Sequence, residues 1–177
     1  MRIYGTIFLN WLHQVALAVW LGGIVTIGGA VAPAIFGSAR KAGHTAHGMP
    51  LFDFAGTAIG EAFRRFNTGV LIAGLVMLLA GVAYSRLAGL CPIRTRVRAA
   101  MTLLCWAIAV WLEYSLFPRM NAFRSQEQMD AFDDLHQTST VAFQSQMVLL
   151  LGIVALTGWM HLDRSRHGGG REDHAPV

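Results

Sequence analysis

Charge is what this chain has least of: 14% of its 177 residues are Asp, Glu, Lys or Arg, where a soluble domain carries about 25%. So few charges do not suit the surface of a water-soluble enzyme, and a hydrophobic share of 54% excludes a disordered chain. Cysteine is nearly absent as well. Cys91 and Cys105 are too few for a disulfide framework and lack metal-ligand spacing. There is no Cys-x-x-Cys, no glycine-rich phosphate loop after a strand and no Gly-x-Ser-x-Gly elbow. Nothing marks a catalytic centre. The length allows one domain at most. The net charge of +4 does not point to nucleic acid, because the positive residues lie between apolar blocks rather than along one stripe.

Those apolar blocks are what the chain does have. A spanning helix needs about 20 mainly apolar residues to cross about 30 Å of hydrocarbon. Four stretches qualify: 7–36, 66–84, 99–117 and 140–160. Each is apolar on every face, which excludes the alternation of a membrane barrel. The expectation is an all-α integral membrane four-helix bundle occupying residues 1–166, with a mobile tail over 167–177. Ala30-Val31-Ala32 is the one signal-peptide-like feature. The apolar stretch before it is about twice the usual 7–15 residues, so the first span is read as uncleaved. Pro33 is expected to bend or end that helix.

Orientation follows from basic residues in short loops. The segment between spans two and three carries Arg86, Arg94, Arg96 and Arg98 with no acid, and Arg164, Arg166 and Arg171 follow span four. The segment between spans three and four holds Glu127, Asp130, Asp133 and Asp134 against Arg119 and Arg124. Both termini are expected in the cytoplasm, in the inner (plasma) membrane of a bacterium, with the arginines as headgroup anchors. Helices two and four should extend outside the bilayer. Leu51, Phe52, Ala55, Ile59, Ala62, Phe63 and Phe66 recur at helical steps into span two. Ser125 with Gln128 reads as a capping box opening the helix into span four, after a loop from Pro118 to Ser125.

Small residues provide close-packing faces: Gly22, Thr26 and Ala30 in span one, and Gly69, Ala73, Gly74 and Gly81 in span two. They serve either packing inside one bundle, the preferred reading, or a homodimer contact; the other expected partner is the lipid bilayer.

Ionisable groups inside a span cost about 2.5–3.5 kcal/mol on insertion scales, so each calls for a reason. His13 lies two turns inside span one, near Asn10 and Gln14, and His161 ends span four at the same level. Together they are candidates for a haem or metal pair, since two imidazoles can hold iron in a bundle. The plainer and preferred reading is a hydrogen-bonded neutral His13 with His161 solvated. Toward the other face, Glu113 in span three is set opposite His136, with His44, His47 and Met49 in the first long loop. A His-x-x-His-x-Met run suits copper, but a pairing of Glu113 with an arginine or hydroxyl is preferred.

Leu12-His13-Gln14, Trp20-Leu21-Gly22-Gly23, Ala32-Pro33-Ala34-Ile35-Phe36 and the later Phe132-Asp133-Asp134-Leu135-His136 resemble the transmembrane protein 205-like family. These are small four-span proteins mostly filed under a domain of unknown function. Trp-Leu-Gly-Gly after a Leu-His pair is also similar to copper-resistance D type membrane proteins. The resemblance implies the four-span fold and, through the association of eukaryotic members with resistance to a platinum drug, a hint toward soft metals. It carries over no catalytic residue. Two functions are therefore expected: a non-enzymatic module handling or sensing a small solute or metal, or assisting a membrane partner; or a haem- or copper-binding redox protein.

Overall fold

The computed structural model describes residues 2–42, 45–46, 49–126 and 128–168. Helix α1 (Arg2–Thr26) leads through a π turn (Ile27–Val31) into α2 (Ala32–Ala42). A small antiparallel pair, β1 (Thr45–Ala46) with β2 (Met49–Pro50), precedes α3 (Leu51–Leu87). Then come α4 (Pro92–Trp111), a second π turn (Leu112–Leu116), α5 (Phe117–Ser125) and α6 (Met129–Gly168).

Among the described residues, four helical rods are long and apolar enough to cross a membrane: Ile3–Lys41, Phe54–Leu87, Pro92–Arg124 and Asp130–Met160. In their most apolar windows only 22–33% of residues are buried inside the bundle. Ile72, Leu79, Leu103, Leu104, Val148 and Leu151 all face outward. Water would not tolerate that surface, and lipid requires it. The chain is an all-α, multi-pass integral membrane protein. Helix α3 has 37 residues and α6 has 40, so at about 1.5 Å per residue each reaches about 55–60 Å, well beyond a bilayer's hydrocarbon.

The turn between α3 and α4 shows how local chemistry sets the hairpin. Gly89 has φ 63°, a left-handed conformation that glycine adopts without a Cβ penalty. The Leu90 N–H reaches back to Ser85 O at 3.0 Å, closing α3 with the 6→1 bond of a Schellman motif. Pro92 then starts α4 at a position where its missing N–H costs nothing. Around the bundle α1 packs on α3, α3 on α4, and α4 on α6, with a slighter α1–α6 contact closing the ring. The core at the centre is Leu17, Trp20, Val70, Met77, Cys105, Ala109, Leu150 and Ile153.

Four local expectations are corrected. Pro33 does not end the helical rod, which continues through α2. Its ring would collide with the carbonyl four residues back, and the preceding turn widens, with Ala32 N–H bonding Ile27 O five residues back. Pro118 repeats the arrangement: Phe117 N–H bonds Leu112 O across the second π turn. Residues 118–125 are consequently helix rather than loop, so Glu113 lies within a continuous rod instead of near its end. Ser125 closes α5 and does not cap α6, which starts at Met129 after the Gln128 N–H has bonded Phe123 O.

The fourth correction concerns the arginines between spans two and three. The non-helical link is only residues 88–91, so Arg94, Arg96 and Arg98 belong to α4. Arg94 stacks over the Trp159 ring at 5.2 Å and Arg96 is exposed, as an interfacial anchor should be. Arg98 is 2% exposed and is no headgroup anchor.

Candidate functional site: a buried arginine and histidine between three helices

Arg98 and His13 enter the bundle from opposite sides and meet over one glycine of α3. A Cβ on Gly81 would stand 2.9 Å from His13 Nδ1 and 3.4 Å from Arg98 Nη2. The bare backbone there lets both side chains reach α3 carbonyls. His13 Nδ1–H donates to Met77 O at 2.9 Å. Because a carbonyl only accepts, this bond puts a proton on Nδ1 and leaves Nε2 facing elsewhere. Arg98 Nη2 donates to Gly81 O at 2.7 Å and to Ser85 Oγ at 2.6 Å. Ser85 Oγ in turn donates to Gly81 O at 2.8 Å.

These bonds leave a remainder. His13 Nε2 and Arg98 Nη1 are buried and have no hydrogen-bond partner among the described residues, and Asn10 Oδ1 on α1 is in the same condition. A small cavity of about 10 Å3 lies here, lined by His13, Met77, Gly81, Thr95, Arg98 and Thr102 among others. That is the room of a water-sized species. Arg98 has no carboxylate partner among the described residues. A guanidinium is never deprotonated in ordinary conditions, so the bundle holds a full positive charge balanced only by dipoles.

A second polar cluster joins α3 to the second π turn. Asn67, 1% exposed, donates both Nδ2 hydrogens across the interface: to Ala109 O and to Glu113 Oε2, each at 3.0 Å. Thr68 Oγ1 lies 3.5 Å from Glu113 Oε1 and closer, at 3.1 Å, to Arg64 O. Glu113 thus takes its bonds from α3, as the hydroxyl-or-arginine reading anticipated in kind, and Asn67 is the partner the sequence did not reveal. His136 stands on α6, exposed, its ring stacked on Phe132 with centroids 6.0 Å apart.

The other candidates are placed less fully. His44 and His47 lie outside the described residues, as does the tail over 169–177. Met49 forms β2 and His161 forms part of α6 by backbone. Among the described residues, no three His, Cys, Asp or Glu side chains converge as a metal site would need. Cys91 is exposed, Cys105 is buried, and the two are not joined by a disulfide.

Sequence reading missed Arg98 because three arginines at alternate positions look like one basic loop. The signal was the stripe behind it. Arg98, Thr102, Cys105, Ala109, Leu112 and Leu116 are the buried residues of this rod, at steps of three and four. Continuing that stripe toward Pro92 points Arg98 inward and Arg96 outward.

Comparison with family models, with curated proteins and with solved structures gives no match. Function has to be argued from the site itself.

Proposed function

We propose that this protein is a non-enzymatic membrane module that holds or senses a small solute in the polar cavity between α1, α3 and α4. The supporting observation is the pair Arg98 and His13, each almost wholly buried and each with one ring or guanidinium nitrogen left without a partner beside a cavity. An ionisable side chain in a span is by default a functional group, since structure alone rarely repays its desolvation. The test is thermal unfolding of the detergent-purified protein against a panel of small cationic, neutral and anionic solutes. At least one class should raise the midpoint, and Arg98→Gln should remove the response. Silence across the whole panel would make the cluster a structural one.

The haem or copper reading retains one observation in its favour. A histidine whose Nδ1–H is tied to a carbonyl presents Nε2 as metal ligands do. Arg98 beside it opposes a cation, and metal content with an absorbance spectrum of the purified protein decides between the two. We further propose the bacterial inner membrane with cytoplasmic termini, on the strength of Arg86, Arg94 and Arg96 around the α3–α4 turn. Kinship with the transmembrane protein 205-like family rests on the motifs from Leu12 to Phe36. A homodimer is supported by Gly22 and Gly29, whose missing side chains face open space; mass measurement in detergent tests it.

A further inference from the structure

We infer that the solute class of the α1/α3/α4 cavity is a small monovalent anion, seated as the counter-ion of Arg98. This rests on the solute-holding reading above and names what it holds. The first argument is charge. Arg98 is 2% exposed and has no carboxylate among the described residues, and Met77, Leu78, Val82 and Ala99 form much of the wall around it. In such apolar surroundings an unpaired cation is costly, and an opposite charge in contact interacts many times more strongly than it would in water.

The second argument is the direction of the unused bonds. Nη2 of Arg98 is committed to Gly81 O and Ser85 Oγ, whereas Nη1, which can only donate, has no acceptor. The ligand must therefore bring a lone pair. His13 refines the choice. With its Nδ1–H on Met77 O, neutral His13 offers a lone pair at Nε2. An anion that carries an acidic hydrogen, such as hydrogencarbonate, has a group suited to each atom: an oxygen to accept from Nη1 and an O–H to donate to Nε2. A halide satisfies Arg98 alone. The third argument is size. A cavity of about 10 Å3 admits a species near the size of water or slightly larger. That favours a small ion over a lipid phosphodiester or a sugar acid.

The experiment compares sodium chloride, formate, hydrogencarbonate and gluconate at one ionic strength and pH, using the full chain in neutral detergent. The first three should raise the unfolding midpoint in proportion to the logarithm of their concentration, as binding to the folded state requires. Gluconate, of equal charge and too large, should not. Arg98→Gln should weaken the response about tenfold or more, the loss expected for a charge-assisted hydrogen bond, and Arg98→Lys should keep part of it. Should these variants fail to fold, line broadening of the chloride NMR signal by the native protein, reversed by hydrogencarbonate, reads the same site. Equal midpoints in all four salts together with no broadening overturn the inference. If cationic or neutral solutes act through Arg98 while small anions do not, the anion assignment falls and the solute-holding module stands. If no solute of any charge acts, both fall.

Discussion

Glycine at position 74 offers the sharpest test of the packing. An alanine Cβ there would stand 2.7 Å from Trp106 Cδ1 and 2.8 Å from Trp20 Cζ3, well inside ordinary van der Waals contact. Neither ring is free to yield. Trp20 is fully buried, and the Trp106 ring is held by its Nε1–H donating to Leu71 O at 2.9 Å. Overpacking of this kind costs about 1–3 kcal/mol. Replacing glycine by alanine inside a helix returns about 1 kcal/mol. Gly74→Ala should therefore destabilise by about 1 kcal/mol net, and by about 2 kcal/mol if the rings do not move at all.

The control lies five residues away on the same helix. A Cβ on Gly69 would meet nothing within 4 Å, so Gly69→Ala keeps the propensity gain alone and should stabilise by about 0.4–1 kcal/mol. Reversible unfolding in mixed micelles, with tryptophan fluorescence as the signal, measures both variants against the parent. Opposite signs for the two variants are expected. If Gly74→Ala is as stable as Gly69→Ala, α1 and α4 do not close over α3 as described, and the bundle geometry is wrong.

Other perturbations probe the polar contacts. A double-mutant cycle between Asn67→Leu and Glu113→Gln should show coupling of about 0.5–1.7 kcal/mol, the range for interhelical polar pairs in membranes. The same cycle between Glu113→Gln and His136→Ala should show none, and coupling there would support a shared site. Gln146→Leu should cost less than about 1 kcal/mol: its Nε2 donates to Cys105 O at 3.1 Å, yet its buried Oε1 has no partner, so removing the amide also removes an unsatisfied acceptor. A membrane-impermeant thiol reagent should modify Cys91 only in opened cells and Cys105 only after denaturation; Cys91 labelling in intact cells would reverse the proposed orientation.

The spans were legible because an apolar run is a local property. So was the early start of α3, where Leu51, Phe52, Ala55, Ile59, Ala62, Phe63 and Phe66 keep one face apolar. The glycines divide by what surrounds them, which periodicity alone does not report. Gly74 and Gly81 pack inside the bundle, as the preferred reading had it, while Gly22 and Gly69 face open space. Pro33 and Pro118 were visible as helix breakers, but a π turn that absorbs the missing N–H leaves no mark in composition. The site was half legible. His13 is conspicuous in an apolar run, whereas Arg98 near the start of α4 and Asn67 midway along α3 stand among polar neighbours, where only the helical phase separates a buried group from a solvated one.

The hydrogen bonds between helices share a geometry. Met77 O, Gly81 O, Leu71 O and Ser85 Oγ accept on α3, and Asn67 donates from it. Helix α3 is the hub to which α1 attaches through His13, and α4 through Arg98, Trp106 and the Asn67 pair. Among the described residues, helix α6 is joined to α4 by Gln146 with Cys105 and by Arg94 over the Trp159 ring, and elsewhere by packing such as the Phe143 ring against Phe63 and Phe117. In lipid no hydrophobic effect draws helices together, so polar bonds and close fit carry a larger share of their association. A hub arrangement therefore ties the α1/α3/α4 cavity to the most firmly bonded part of the bundle.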